Sequence, residues 1–245
     1  ITIAIDAMGG ENSPDKILKA VSLFNKKNIS NDDYVLNLFG DEKLIKEKLD
    51  SAKISKNKII VTHTESVISD EDTPLTAIKN SKNTSMWNCI QSQINGNSDI
   101  SLSAGNTGVL LVISRMILKM MNKVNKPALA GLWPNQKGMN VVLDLGANIE
   151  CSEDNLVDFA ELGSALYKSI FPEDKPIVSL LNIGSEEIKG TDVLKNAFKK
   201  LSSLSSENNF KFNGYIEGNK IMSGDSNVIV TDGFTGNIAL KTAEG

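Results

Sequence analysis

Histidine and arginine are almost missing from this chain. Among 245 residues, His63 is the only histidine and Arg115 the only arginine. Counting alone excludes a histidine-based triad or a two-histidine metal site, unless another chain supplies ligands. Cysteine is as scarce. Cys89 and Cys151 lie far apart, and no cysteine pair has zinc spacing, so a reduced, cytoplasmic protein is the simplest account. A basic surplus is also missing. The net charge of -4 and pI near 5.2 imply no basic face overall, which argues against a nucleic-acid partner. No apolar run approaches the ~20 residues needed to span a bilayer. The chain opens directly on a strand-like stretch, Ile1-Thr-Ile-Ala-Ile5, so no secretory leader is expected.

Several familiar sites are absent too. There is no Gly-x-x-x-x-Gly-Lys-Ser/Thr, which disfavours a P-loop NTPase. Met8-Gly9-Gly10 lacks the spacing of a dinucleotide fingerprint, and no Gly-x-Ser-x-Gly nucleophile elbow occurs. Both cysteines read as structural. Cys151 is the better nucleophile of the two, because it sits near an expected helix start, where a thiol pKa falls.

What is present is a strand–helix rhythm. The apolar fraction of 40% and charged fraction of 23% are those of a globular protein, and the length allows one large α/β domain or two small ones. Strands are expected at Ile1–Ile5, Tyr34–Phe39, Lys58–Val61, Asp99–Leu102, Pro127–Pro134, Asn140–Asp144, Ile177–Ile183 and Asn227–Thr231. Helical periodicity separates most of them, which points to a doubly wound, mostly parallel sheet. Ser13 before Pro14 reads as a helix cap. Helices are also expected from Thr73-Pro74 and from Asn83 to about Asn95. The segment from Asn106 to Met121 is apolar almost all round, so it is either buried on most sides or part of a subunit interface. The stretch from Ser152 carries one apolar stripe: Leu156, Phe159, Ala160, Gly163, Leu166, Tyr167 and Ile170.

Five strands end in loops of glycine and small polar residues: Asp6 to Gly10, Ser103 to Gly108, Asp144 to Asn148, Asn182 to Gly190 and Asp232 to Asn237. In a parallel sheet such loops share the carboxyl edge, where ligands bind. They read either as ordinary capped turns or as one shared ligand site. The chemistry fits a phosphate-sized anion. The Asn106 N–H, the Thr107 hydroxyl and neighbouring N–H groups at a helix start could cradle oxygens. Lys79, Lys82 and Lys189 read as added point charges or as solvated surface charge. Asp6, Asp144 and Asp232 read as caps, amide-orienting groups or general bases.

The motifs together resemble the bacterial phosphate acyltransferases of phospholipid synthesis. They are Ile3-Ala-Ile-Asp-Ala-Met-Gly-Gly10, Ser103-Ala-Gly-Asn-Thr-Gly108, Leu143-Asp-Leu-Gly-Ala-Asn148, Leu181-Asn-Ile-Gly184 with Glu187-Ile-Lys-Gly190, and Asp232-Gly-Phe-Thr-Gly-Asn-Ile-Ala-Leu-Lys241. They follow one another in order over the whole chain. The resemblance implies transfer of a long acyl chain from acyl carrier protein to inorganic phosphate. It also implies an isocitrate/isopropylmalate dehydrogenase-like α/β fold, which phosphotransacetylases share, a homodimer, and no cofactor or metal. It departs from the family at Glu11 and Asn12, where aspartate and histidine are usual, so no histidine can be given a catalytic part there.

On that resemblance residues 1–245 are expected to form a single catalytic domain lacking the family's C-terminal helices, one segment of which touches the membrane peripherally. Ser103, Gly105, Asn106, Thr107 and Gly108 are expected to bind phosphate, assisted by Lys82. Lys189, Asp232 and Asn237 are expected at the reacting centre, and Asp6, Gly9, Gly10, Asp144 and Asn148 around the substrate. Lysine stretches at Lys79–Lys82 and Lys119–Lys126 are candidate docking faces for acidic acyl carrier protein, and the apolar helix after Asn106 reads either as ordinary core packing or as the lining of an acyl channel. Two other readings stand beside this one: a short-chain, coenzyme A-dependent phosphotransacetylase, and a non-catalytic scaffold for acyl carrier protein or membrane.

Overall fold

The computed structural model describes residues 1–27, 33–69, 72, 73, 76, 79, 81–204 and 209–245. The helix expected from Thr73-Pro74 falls mainly on residues outside these. The chain divides into two compact units, Ile1–Lys119 and Met120–Gly245.

The first unit runs β1 (Thr2–Asp6), α1 (Asp15–Lys27), β2 (Val35–Gly40), α2 (Glu42–Ser51), β3 (Ile59–His63), α3 (Ser85–Ile94), β4 (Ile100–Leu102) and α4 (Thr107–Leu118). Its four strands are all parallel, in the order β3-β2-β1-β4. Alternate strand residues serve opposite faces, as a period of two requires. Leu36 and Leu38 pack with Leu18 and Val21 of α1 and with Ile45 and Leu49 of α2. Ala4 and Phe39 meet Cys89 of α3. Helix α4 then packs on α3 through Val109, Ile113 and Ile117 against Met86 and Ile90. These three residues recur every fourth position, so they make one buried stripe. Met116 and Leu118 remain exposed, so α4 is not the all-round buried helix that its composition permits. Ser13 also departs from expectation. Its hydroxyl donates to the Gly9 carbonyl at 2.6 Å, and α1 begins two residues later.

The second unit runs β5 (Ala130–Asn135), β6 (Gly138–Leu143), α5 (Glu153–Ile170), β7 (Ile177–Asn182), α6 (Asp192–Leu204), β8 (Lys211–Glu217), a 3-10 turn (Gly218–Ser223), β9 (Val228–Val230) and α7 (Gly233–Glu244). The strand order is β5-β6-β9-β7-β8, and only the β5–β6 hairpin is antiparallel. Pro134 is tolerated because β5 is an edge strand. One face packs Leu143, Leu180 and Val230 beneath Leu156 and Phe159 of α5 and Leu201 of α6. Gly163 lets α5 lie close to the sheet, since a Cβ there would stand 2.6 Å from Val228 Cγ1. The other face packs Val142, Leu181 and Ile229 against Trp133 and Ile221, with Ala239 and Leu240 of α7 alongside. Among the described residues no helix is long and apolar enough to cross a membrane.

The mostly parallel α/β architecture is present, but it is shared between two sheets. The five strand-end loops therefore do not gather on one edge. Two follow β1 and β4 in the first unit; three follow β6, β7 and β9 in the second.

Candidate functional site

In the first unit, Asp6 ends β1 and is 1% exposed. Its carboxylate accepts from the Ser103 hydroxyl at 2.7 Å and from the Met8 N–H at 3.3 Å. Ser103 in turn accepts from the Gly105 N–H at 3.1 Å. Asp6 and Ser103 thus tie the β1 loop to the β4 loop, and both are engaged in doing so. The glycines permit the approach. A Cβ at Gly9 would stand 2.4 Å from the Asp6 carboxylate, and one at Gly10 would stand 2.4 Å from the Ala104 carbonyl. Gly10 also has φ +86°, a conformation that an L side chain strains. Gly10→Ala should cost roughly 3 kcal/mol and part the two loops; a urea midpoint matching the parent's would refute the close packing.

Helix α4 starts directly after this junction. Asn106 is its cap: the side-chain oxygen accepts from the Val109 N–H at 3.1 Å, and the amide donates to the Asp72 carbonyl at 3.1 Å. The side chain of Asn106 therefore serves the loop. What it leaves open are the N–H groups of Thr107 and Gly108, which have no partner among the described residues. The Thr107 side chain is exposed beside them. No acid sits in this first turn, and the cap is neutral. Partial positive charge accumulates at such an end and is here uncompensated. Lys82 is exposed three residues before the start of α3.

In the second unit, Asp144 is fully buried and serves its own loop. It accepts from the N–H groups of Leu129, Gly146, Ala147 and Asn148 at 2.8–3.2 Å. The Asn148 amide donates to it at 2.8 Å and to the Pro127 carbonyl at 2.7 Å. Asp232 caps α7, accepting from the Thr235 N–H at 2.8 Å and from its hydroxyl at 2.9 Å. This carboxylate already occupies the positive end of α7, so that end repels a further anion. The helix start is pressed onto the β6 loop: the Gly233 N–H donates to the Asn148 carbonyl at 2.8 Å, and the Asn237 amide to the Leu145 carbonyl at 3.3 Å. A Cβ at Gly236 would stand 1.9 Å from the Asp144 carbonyl oxygen. Lys189 lies exposed in the loop after β7, where the Asn182 amide holds its carbonyl at 3.2 Å.

The structure thus brings Asp6, Gly9, Gly10, Ser103 and Gly105 together beside Asn106, Thr107 and Gly108. It separately brings together Asp144, Asn148, Asp232 and Asn237. Sequence reasoning missed two partners. Thr235 could have been found three residues after Asp232, the spacing of a side-chain cap. Asp72, which holds Asn106 through its carbonyl, leaves no such signal.

Neither cysteine is activated. Burial is the main cause that pushes the Cys151 thiol above its ordinary value, and the nearby Asp144 carboxylate adds to it. Burial pushes Cys89 up to about 12. Both stay protonated near neutral pH, where only the thiolate is a good nucleophile. Alkylation of Cys151 by iodoacetamide should be slower than that of a free thiol at pH 7 and accelerate as pH rises beyond 9; a fast rate at pH 7 would contradict the placement. His63 is exposed and accepts from the Glu42 N–H. Among the described residues, no group of three or more His, Cys, Asp or Glu is arranged to hold a metal ion.

The family model described as "Fatty acid synthesis protein" matches residues 1–245. The chain is 54% identical over 245 residues to the phosphate acyltransferase of Pelagibacter ubique, covering all of this chain and 72% of that one. It is 39% identical to the phosphate acyltransferase of Paramagnetospirillum magneticum, covering all of this chain and 68% of that one. Among solved structures, the EutD phosphotransacetylase of Staphylococcus aureus superposes with a TM-score of 0.69 at 16% identity, over all of this chain and 81% of that one. That likeness concerns the fold alone. Sequence and family model together establish that the chain belongs to the phosphate acyltransferase family, within the fatty acid synthesis proteins, and is an acyltransferase.

Proposed function

We propose that the protein transfers a long-chain acyl group from acyl carrier protein to inorganic phosphate, giving the acyl phosphate used in phospholipid synthesis. The observation that carries this reading is the start of α4. Two N–H groups without a partner among the described residues, an exposed hydroxyl and a neutral cap make it an anion-ready helix end in the first unit. Phosphate held there is already a nucleophile. Its oxygen attacks the thioester carbonyl carbon, the carbonyl π electrons move to oxygen, and the tetrahedral oxyanion collapses as the C–S bond breaks. The thiolate takes the proton that phosphate releases, so thioester and hydrogen phosphate become acyl phosphate and thiol. No covalent enzyme intermediate is needed, consistent with two protonated cysteines. The protein's task is to position phosphate and to stabilise the oxyanion.

In the second unit, Lys189 and the second N–H of the Asn237 amide are the groups suited to polarise the thioester oxygen. Asp232 holds α7 in place for Asn237, and Asp144 with Asn148 shapes the adjoining loop. The reading includes a homodimer acting in the cytoplasm, with membrane contact no more than peripheral. Release of free thiol from long-chain acyl carrier protein tests it. Release should require phosphate and yield acyl phosphate; equal release without phosphate defeats the reading. A preference for acetyl coenzyme A would favour a short-chain phosphotransacetylase, and binding of carrier protein without thiol release would favour a scaffold.

A further inference from the structure

Lys189 stands exposed in the loop after β7, and a lysine stem is flexible unless something holds it. Here the loop holds it from three sides. Strand β7 ends at Asn182, whose side chain is buried and joins the start of the loop to its far end. The Asn182 amide oxygen accepts from the Ile183 N–H at 2.8 Å, and the amide NH2 donates to the Lys189 carbonyl at 3.2 Å. The Lys189 N–H donates to the Glu186 carbonyl at 3.0 Å. Both peptide groups that flank the Lys189 Cα are thus held. Its stem lies along Gly184, where a Cβ would stand 3.2 Å from Lys189 Cγ. Gly190 completes the clip. Its φ is +89°, and a Cβ there would stand 2.5 Å from the Asn182 amide oxygen, so the amide fits only against glycine.

Ending a strand does not require this arrangement. The Ile183 bond alone turns the chain out of β7, whereas the NH2 reaches seven residues along the chain to the lysine itself. Glu186 and Glu187 share the loop, and a Glu186 carboxylate oxygen also stands beside Gly184, 2.7 Å from where a Cβ would be. Yet among the described residues no carboxylate pairs with the Lys189 ammonium. The charge is therefore not neutralised by a partner within the loop, while the backbone and stem that bear it are fixed. A group held in place before the reaction lowers the ordering cost of reaching the transition state.

We propose that Asn182 is a positioning residue for Lys189, and that its contact with Gly190 sets where the ammonium stands during acyl transfer. The proposal rests on the acyl-transfer reading above, which gives Lys189 its task. The test is Asn182→Ala in the whole protein, with Gly190→Ala as a second variant that keeps the amide and pushes it off the loop. Where thermal unfolding shows that Asn182→Ala does not fold, Asn182→Asp takes its place, since it keeps the Ile183 bond and loses the donor to Lys189. In thiol release from palmitoyl carrier protein, kcat should fall at least about tenfold in each variant, while the KM for phosphate stays within about twofold. The loss should vanish when the same changes are made in Lys189→Ala, because a residue that acts through Lys189 then has nothing to position. An equal loss in both backgrounds, or a kcat that matches the parent's, overturns the proposal. Limited digestion separates it from the acyl-transfer reading. Below the unfolding midpoints, trypsin should cut after Lys189 faster in Asn182→Ala, or in its replacement, than in the parent. Faster cutting supports the clip even if thiol release by the parent does not need phosphate, and equal cutting overturns it.

Discussion

Thr107→Asp should leave the fold intact and nearly abolish use of phosphate. Position 107 is the first residue of α4, and its side chain is exposed. An acid in the first turn suits the helix dipole, so stability should hold or rise slightly. The same carboxylate would lie beside the two open N–H groups that define the anion site. Two unit charges about 4 Å apart at an effective dielectric of 20 repel by about 4 kcal/mol, a loss near a thousandfold. The expected signature is therefore split: kcat/KM for phosphate falls about a thousandfold while the unfolding midpoint does not fall. Thr107→Val, which removes only the hydroxyl, should lose far less. Comparable losses in both variants would move the site away from the backbone N–H groups.

Asp144→Asn is expected to do the reverse, harming the fold before the chemistry. One Asp144 oxygen accepts three N–H groups, from Leu129, Gly146 and Ala147. The other accepts two from Asn148, one backbone and one side chain. An asparagine must place its NH2 toward one of these sets, so two or three buried donors then face another donor. Each unsatisfied buried group costs about 1–3 kcal/mol, so the variant should lose at least about 2 kcal/mol. Asp232→Asn is the control. Asparagine caps as well as aspartate, and only the Thr235 hydroxyl loses its acceptor, so the change should stay below about 1 kcal/mol. Equal losses at the two positions, measured by urea denaturation, would contradict a loop built around Asp144.

This contrast shows how far the sequence could be read. The five loops were legible, because aspartate, asparagine and glycine at strand ends announce turns. Their sorting into two edges was not, because strand pairing depends on partners distant in sequence. β1 lies between β2 and β4, and β9 lies between β6 and β7. Periodicity identified most of the buried face of α5, although Leu166 and Ile170 of the expected stripe are exposed, and it overstated α4. An all-apolar helix does not reveal which of its faces the fold will cover, and Val109, Ile113 and Ile117 alone are covered to 9% exposure or less. The β5–β6 hairpin was read as two separate strands, since Gln136-Lys137 carries no strong turn signal beyond Gly138. Of Asp6, Asp144 and Asp232, each open to a capping role, Asp232 alone caps a helix, while Asp6 and Asp144 accept from loop groups. Only coordinates could show that Asp144 is saturated while the Thr107 and Gly108 N–H groups are not.

The central claim is that phosphate sits on those two N–H groups. Titration of the nitrogen-15-labelled protein with inorganic phosphate measures it directly. The account expects saturable shifts that are largest at the Thr107 and Gly108 amides and absent in Thr107→Asp. Saturable binding that leaves those two amides unmoved would contradict it.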